Sequence, residues 1–216
     1  MKQVRYSLGA EDPYSHVDTI LNNSFETVIV PTFTPAVLYT GVFDVSATES
    51  ESGTFSQLFL KSAEGRTLSP FKSFALKGLM TPELLSLHTF NDYIAGGMFH
   101  FFNSNDVVSV NVGTMDIRFG TIHYLESMCN LPYIRHRDVR IRVIDSNGIS
   151  RSSEYCHLDY KIRVKFSRDK IERDLHRAGI IKVLIINDMI VRIIPEIDCS
   201  DYLIKRLKAD PYYLVD

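Results

Sequence analysis

The chain has 216 residues, of which 45% are hydrophobic and 23% charged, and its formal net charge is −2. That suits one globular domain with a full core, spanning residues 1–216, and argues against non-specific nucleic-acid binding. No apolar stretch approaches the roughly 20 residues that cross a bilayer. The opening MKQVRYSLGAEDPY lacks the apolar run of a signal peptide, and Cys129, Cys156 and Cys199 form no C-x-x-C motif, so reduced thiols and a cytoplasmic protein are expected.

In chain order, HVDTILNN ends a short amphipathic helix with Val17, Ile20 and Leu21 on one side. Thr27 to Val30 read as a buried strand that Pro31 stops. The polar SATESESG is a loop, and GTFSQLFLKS places Phe55, Leu58 and Phe59 at helical spacing. In RTLSPFKSFALKG, Pro70 interrupts and a strand ends at Gly78. TPELLSLH starts a helix, with Thr81 as N-cap and Pro82 at the first helical position. DVVSVNVG is a strand punctuated by Gly113. GTIHYLESMCN is a helix that Pro132 ends. DVRIRVID and ISRSSEYCHLDYKIRVKF flank a Ser-Asn-Gly turn as antiparallel strands. SRDKIERDLHRAG is a helix capped by Ser167 and terminated by Gly179. IIKVLIINDMIVRIIP is a hairpin turning at Asn187-Asp188, and CSDYLIKRLKAD is a closing helix capped by Ser200. Alternating strands and helices predict a layered α/β domain.

The helix around RFGTIHYLESMCNLPYI carries the clearest chemistry. His123 and Glu126 stand at i and i+3, on one helical face. An imidazole there suits proton transfer, and a carboxylate one turn away suits orienting it. The same pair also reads as a histidine tied to a helix neighbour without chemistry. Metal binding has little support, since helical-bundle metal sites use the reversed order in two copies. Cys129 lies six residues beyond His123 on another face, which argues against an acyl-cysteine route.

Thr32 and Thr34 flank Phe33 just after a strand, where an open α/β sheet faces its ligand crevice; ordinary loop hydrogen bonding is the alternative. IRHRDVRIR carries Arg135, Arg137, Arg140 and Arg142, either an anion-binding stripe or a solvated edge. The acidic SATESES reads as a cation-recognising loop or a flexible one.

The order of the local motifs resembles the aminoglycoside 3-N-acetyltransferase family. PTFT after a buried strand looks like the end of that family's second strand. GTFSQLFLKSAEGRTLSPFKSFALKG is similar to its helix and loop with an Arg-Ser-x-His-Pro-x-x-Ser signature and a closing Ala-x-Gly. DVVSVNVG, GTIHYLE and LPYI resemble its Leu-Gly-Val-Gly strand, Thr-x-x-His-x-x-Glu helix and Val-Pro-Tyr-Arg exit. FSRDKIERDLHRAG and the following hairpin look like its C-terminal element. The matches are co-linear from Tyr6 to Leu214.

The resemblance implies a three-layer α/β/α fold with a central mixed sheet and a C-terminal antiparallel β/helix element. It also implies an acetyl-CoA-dependent N-acyltransferase acting on an amine of an aminoglycoside or other amino sugar, with no metal. It places the family's catalytic residues on His123 and Glu126. Coenzyme A contacts fall on Ser7, Leu8, Thr32, Thr34, Arg66, Lys72 and Ser73. Tyr6, Ser7 and Leu8 align with a His-Ser-Ser-Leu turn whose first His is Tyr6 here, and the preceding family strand has almost no counterpart. Ser69 stands where the signature has His, and Lys72 where His is frequent. These departures bear on the acceptor more than on acyl transfer. The rival expectation is a relative that binds coenzyme A or a partner without turnover, against which the retained pair argues.

Overall fold

The computed structural model describes residues 13–87, 97–186 and 189–216. Ser7 and Leu8, with Tyr6, lie outside the described residues, as does the expected turn at Asn187-Asp188. In chain order the elements are α1 (Pro13–Ser24), β1 (Thr27–Pro31), α2 (Val37–Thr40), β2 (Val42–Asp44), α3 (Thr54–Ser62), β3 (Gly65–Arg66), β4 (Phe74–Gly78) and α4 (Thr81–Leu85). There follow α5 (Met98–Phe102), β5 (Val108–Val112), α6 (Thr121–Met128), β6 (Ile134–Ile144), β7 (Ser150–Tyr160), α7 (Arg168–Arg177), β8 (Lys182–Ile186), β9 (Met189–Pro195) and α8 (Glu196–Ala209). The chain is α/β, and the described strands divide among three three-stranded sheets. They fall into two compact units, one holding residues 13–87 and 137–157 and the other 97–136 and 158–216.

In the first unit, β1 and β3 flank β4 in an antiparallel sheet. Strand alternation sends Val28 and Val30 to one face, where they pack with Phe59 and Ala75 against Leu21, Phe55 and Leu60. Pro31 closes β1 opposite Phe74, so Thr32 follows directly beside Ser73, and Thr32 N–H donates to the Ser73 carbonyl at 2.8 Å. Gly78 ends β4 at φ +120°, where an added Cβ would stand 2.2 Å from the Glu26 carbonyl oxygen. The second sheet orders β2-β6-β7, with β2 parallel to β6. Its Asp145 carboxylate accepts the N–H groups of Asn147 and Ile149 around the expected Ser-Asn-Gly turn. Phe43, Ile141, Val143 and Tyr155 form that sheet's core with Phe71.

The second unit holds the antiparallel sheet β5-β9-β8 and the helices around it, the expected C-terminal β/helix element among them. Ile171 and Leu175 share one face of α7 and are fully buried. Gly179 ends that helix at φ +71°, as its sequence position predicts. No described helix is long and apolar enough to cross a membrane.

Several local expectations are corrected. Ile20 is 48% exposed, and α1 buries Val17, with Leu21 partly buried against the core. Thr81 lies within α4, and its hydroxyl makes no cap bond. Ser167 does precede α7, but its hydroxyl donates to Asp216 instead of capping. Ser200 sits inside α8, which starts at Glu196, and its hydroxyl donates to Asn103. The helix before Pro132 ends earlier than expected: Met128 is its last residue, and Asn130 turns left-handed at φ 47°. For Ser167 and Ser200 a long-range partner outcompetes the local signal, and after Met128 a left-handed backbone turn does.

Candidate functional site

Helix α6 is eight residues long and buries Thr121, Ile122, Tyr124, Leu125 and Glu126. Its start is tied down from outside: Thr121 Oγ1 donates to Glu196 Oε2 at 2.5 Å, and Ser109 on β5 donates to the other oxygen of the same carboxylate. Burial pushes Glu196 above the ordinary glutamate range, against the pull of those two hydroxyls. The first turn of α6 is thereby fixed to both β5 and α8.

One turn on, His123 Nδ1 lies 2.9 Å from Glu126 Oε2. The Glu126 side chain is 0% exposed, while His123 retains 24% exposure. Tyr160, at the end of β7, donates its hydroxyl to the same Oε2 at 3.2 Å and lies 3.3 Å from His123 Nδ1. Phe166 meets the His123 ring edge-on at 6.0 Å and the Tyr160 ring at 6.2 Å. Burial first, then the charge and hydrogen bonding of Glu126, pushes the Tyr133 and Tyr160 phenols well above the ordinary tyrosine range. Both phenols are therefore neutral at pH 7. Where Glu126 is ionised its carboxylate only accepts, so the facing Nδ1 would carry the proton and leave the ring's lone pair on Nε2. Such an arrangement is suited to taking a proton from a bound amine.

The expected coenzyme A residues that the structure describes lie in the first unit. Arg66 is buried under a dense set of bonds. Nε donates to Thr32 Oγ1 at 3.2 Å and Ser73 Oγ at 3.1 Å, one terminal nitrogen to the Thr48 carbonyl at 2.5 Å, and the other to the Thr32 carbonyl at 2.9 Å. Its guanidinium also stacks 4.9 Å above the Phe43 ring. Burial lowers its pKa to about 10, against the opposing charge of Asp44. Thr32, Arg66 and Ser73 thus form one buried network joining β1, β3 and the loop after β2. Thr34 donates to the Pro70 carbonyl at 2.5 Å, bracing the neighbouring loop. Lys72 is half-buried, with Nζ 4.6 Å above the Phe33 ring.

Among the described residues, two of the four arginines in the stripe are paired: Arg135 with Asp159 at 2.8 Å and Arg140 with Glu154 at 3.0 Å. The acidic loop is anchored, because Glu51 accepts the Ala36 N–H at 2.8 Å and donates its own N–H to the Phe33 carbonyl at 2.9 Å.

A family model for aminoglycoside 3-N-acetyltransferase matches residues 25–208. The chain belongs to this family. No curated protein sequence matches it. Solved structures of family members share its fold at low identity. Aminoglycoside acetyltransferase AAC(3)-Xa is 15% identical with a TM-score of 0.77, covering 94% of this chain and 82% of its own. A mutant of AAC(3)-IVa in complex with a gentamicin is 17% identical with a TM-score of 0.74, covering 97% and 80%. AAC-IIIb, solved as a binary complex with CoASH, is 12% identical with a TM-score of 0.70, covering 85% and 77%.

The aminoglycoside 3-N-acetyltransferase match takes in α6 and the Arg66 network and begins after Ser7 and Leu8. Sequence reasoning passed over Tyr160 and Tyr133. Tyr133 carries a weak signal, the Pro-Tyr pair directly after α6. Tyr160 carries none, since it stands 34 residues from Glu126 and reaches it only through the hairpin.

Proposed function

We propose that this family member is an acetyl-CoA-dependent N-acetyltransferase acting on an amine of an aminoglycoside or related amino sugar, with His123 as general base and Glu126 as its partner. The observation that carries this reading is the 2.9 Å contact between His123 Nδ1 and a fully buried Glu126 carboxylate. An acceptor amine is mostly an ammonium at pH 7 and is no nucleophile until it loses a proton. His123 takes that proton at Nε2. Glu126 holds the ring's orientation and stabilises the imidazolium as it forms. When bound, acetyl-CoA would supply an acetyl group as a thioester, and its transfer to the freed amine would break the C–S bond and release coenzyme A as the thiol.

Lys72 is our candidate for a coenzyme A phosphate, because its ammonium is half-buried on Phe33 beside the end of β1. Thr32, Thr34, Arg66 and Ser73 spend their polar atoms on internal bonds, so their part is to hold that loop in shape. Ser7 and Leu8 remain proposed contacts on resemblance alone. A cytoplasmic location fits both an acetyl-CoA co-substrate and three cysteines that form no C-x-x-C motif.

The test is calorimetry of acetyl-CoA with wild type and His123→Ala, followed by a thiol-release screen of aminoglycosides and simple amino sugars. The reading expects binding by both proteins and acceptor-dependent thiol release by wild type alone. Binding with no thiol release from wild type on any amine would favour the non-catalytic relative. Absence of binding at millimolar acetyl-CoA would remove the co-substrate.

A further inference from the structure

Glu126 is fully buried beside His123, so donors inside the protein govern how readily its carboxylate carries charge. A carboxylate shut off from water is costly to ionise unless donors replace the lost hydration. Tyr160 is built into that position. Its hydroxyl donates to Glu126 Oε2 at 3.2 Å, the same oxygen that faces His123 Nδ1 at 2.9 Å. Its ring packs edge-on against Phe166, which also packs against His123. One aromatic side chain thus backs both members of the set and restricts how far either ring can turn.

We propose that Tyr160 is a positioning residue for acetyl transfer: its hydroxyl, acting through Glu126, keeps the carboxylate ionised and holds the His123 ring with its lone pair on Nε2. This rests on the reading of His123 as the base. Tyr160 itself neither takes nor gives the proton, since burial and the Glu126 charge keep its phenol neutral across the working pH range. Among the described residues, Tyr133 in the turn after α6 and Tyr160 on β7 both feel the charge of Glu126, with Cys129 acting on Tyr133 and Asp159 on Tyr160.

The sign of the effect follows from where charge is compensated. Removing the phenol hydroxyl costs the bare carboxylate more than it costs the imidazolium–carboxylate pair, in which the cation already offsets the anion. The pair then binds a proton more readily. Tyr160→Phe keeps the ring against Phe166 and deletes only the donor. The acid limb of kcat/KM is expected to move to higher pH by about half a unit to one unit. The fall in kcat at neutral pH is roughly 5-fold to 10-fold, with KM for acetyl-CoA unchanged.

The experiment pairs that pH profile with a nitrogen NMR titration of the His123 ring in wild type and Tyr160→Phe, with melting curves to verify folding. Ring-nitrogen shifts need no acceptor and no turnover. The proposal expects a wild-type ring protonated at Nδ1 and a higher apparent titration midpoint in Tyr160→Phe. Identical midpoints and identical acid limbs in a folded Tyr160→Phe protein overturn it, even if His123→Ala is inactive. A wild-type ring protonated at Nε2 overturns it whether or not the variant folds. Normal turnover by His123→Ala instead defeats the base assignment, a separate result.

Discussion

His123 Nδ1 and Glu126 Oε2 lie 2.9 Å apart, and the carboxylate is fully buried while the imidazole is partly open to solvent. One partner can meet a substrate and the other cannot, which divides the labour between them. Glu126→Gln preserves the shape and removes the charge. Its kcat is expected to fall roughly 100-fold to 10,000-fold, the range for losing a carboxylate that orients a general-base histidine, with acetyl-CoA binding retained. Steady-state kinetics beside calorimetry separates the two effects.

Arg66 is a structural prediction. Replacing it with Ala strips donors from the carbonyls of Thr32, Val45 and Thr48 and from the Thr32 and Ser73 hydroxyls. The expected loss is about 3 kcal/mol, measured by urea unfolding. Arg66→Lys recovers only part of it, because one ammonium cannot replace a planar fork that reaches both β1 and the loop after β2.

Glu196 gives a pH prediction. Burial raises its pKa in the folded protein above the ordinary value of 4.5. A raised folded pKa means the contribution is fully present below 4.5 and is lost as pH rises through the folded value. Relative to Glu196→Gln, wild type is therefore expected to lose stability across that window. Urea midpoints of both proteins over the same pH series check it. A difference that is flat with pH would contradict the assignment.

Strand β8 lies at the edge of its sheet, with Leu184, Ile185 and Ile186 exposed and Ile185 at 74%. Ile185→Lys is expected to change unfolding stability by no more than about 0.5 kcal/mol. It should also reduce self-association on concentration, since a charge blunts an apolar edge. Light scattering through a concentration series reads this out.

The helix that bears His123 and Glu126 was legible because its evidence is local: three-residue spacing, apolar neighbours and a following Pro-Tyr. Strands β1, β5 and the two C-terminal strands were legible from β-branched runs, and β4 from its closing Gly78. The two serine caps failed for one physical reason. Hydroxyls of Ser167 and Ser200 find acceptors 49 and 97 residues away, at Asp216 and Asn103, and no local pattern encodes those partners. Tyr160 escaped notice in the same way. The signature residues Arg66 and Ser73 were found as sequence matches, but only the structure reveals that they bond to each other and to Thr32.

The most direct measurement of the central claim is kcat/KM for wild type and His123→Ala with one aminoglycoside acceptor and saturating acetyl-CoA. A loss of roughly 100-fold or more in the variant, with acetyl-CoA affinity unchanged, is the expected result for removal of a general base. Turnover by His123→Ala at the wild-type rate would contradict the account.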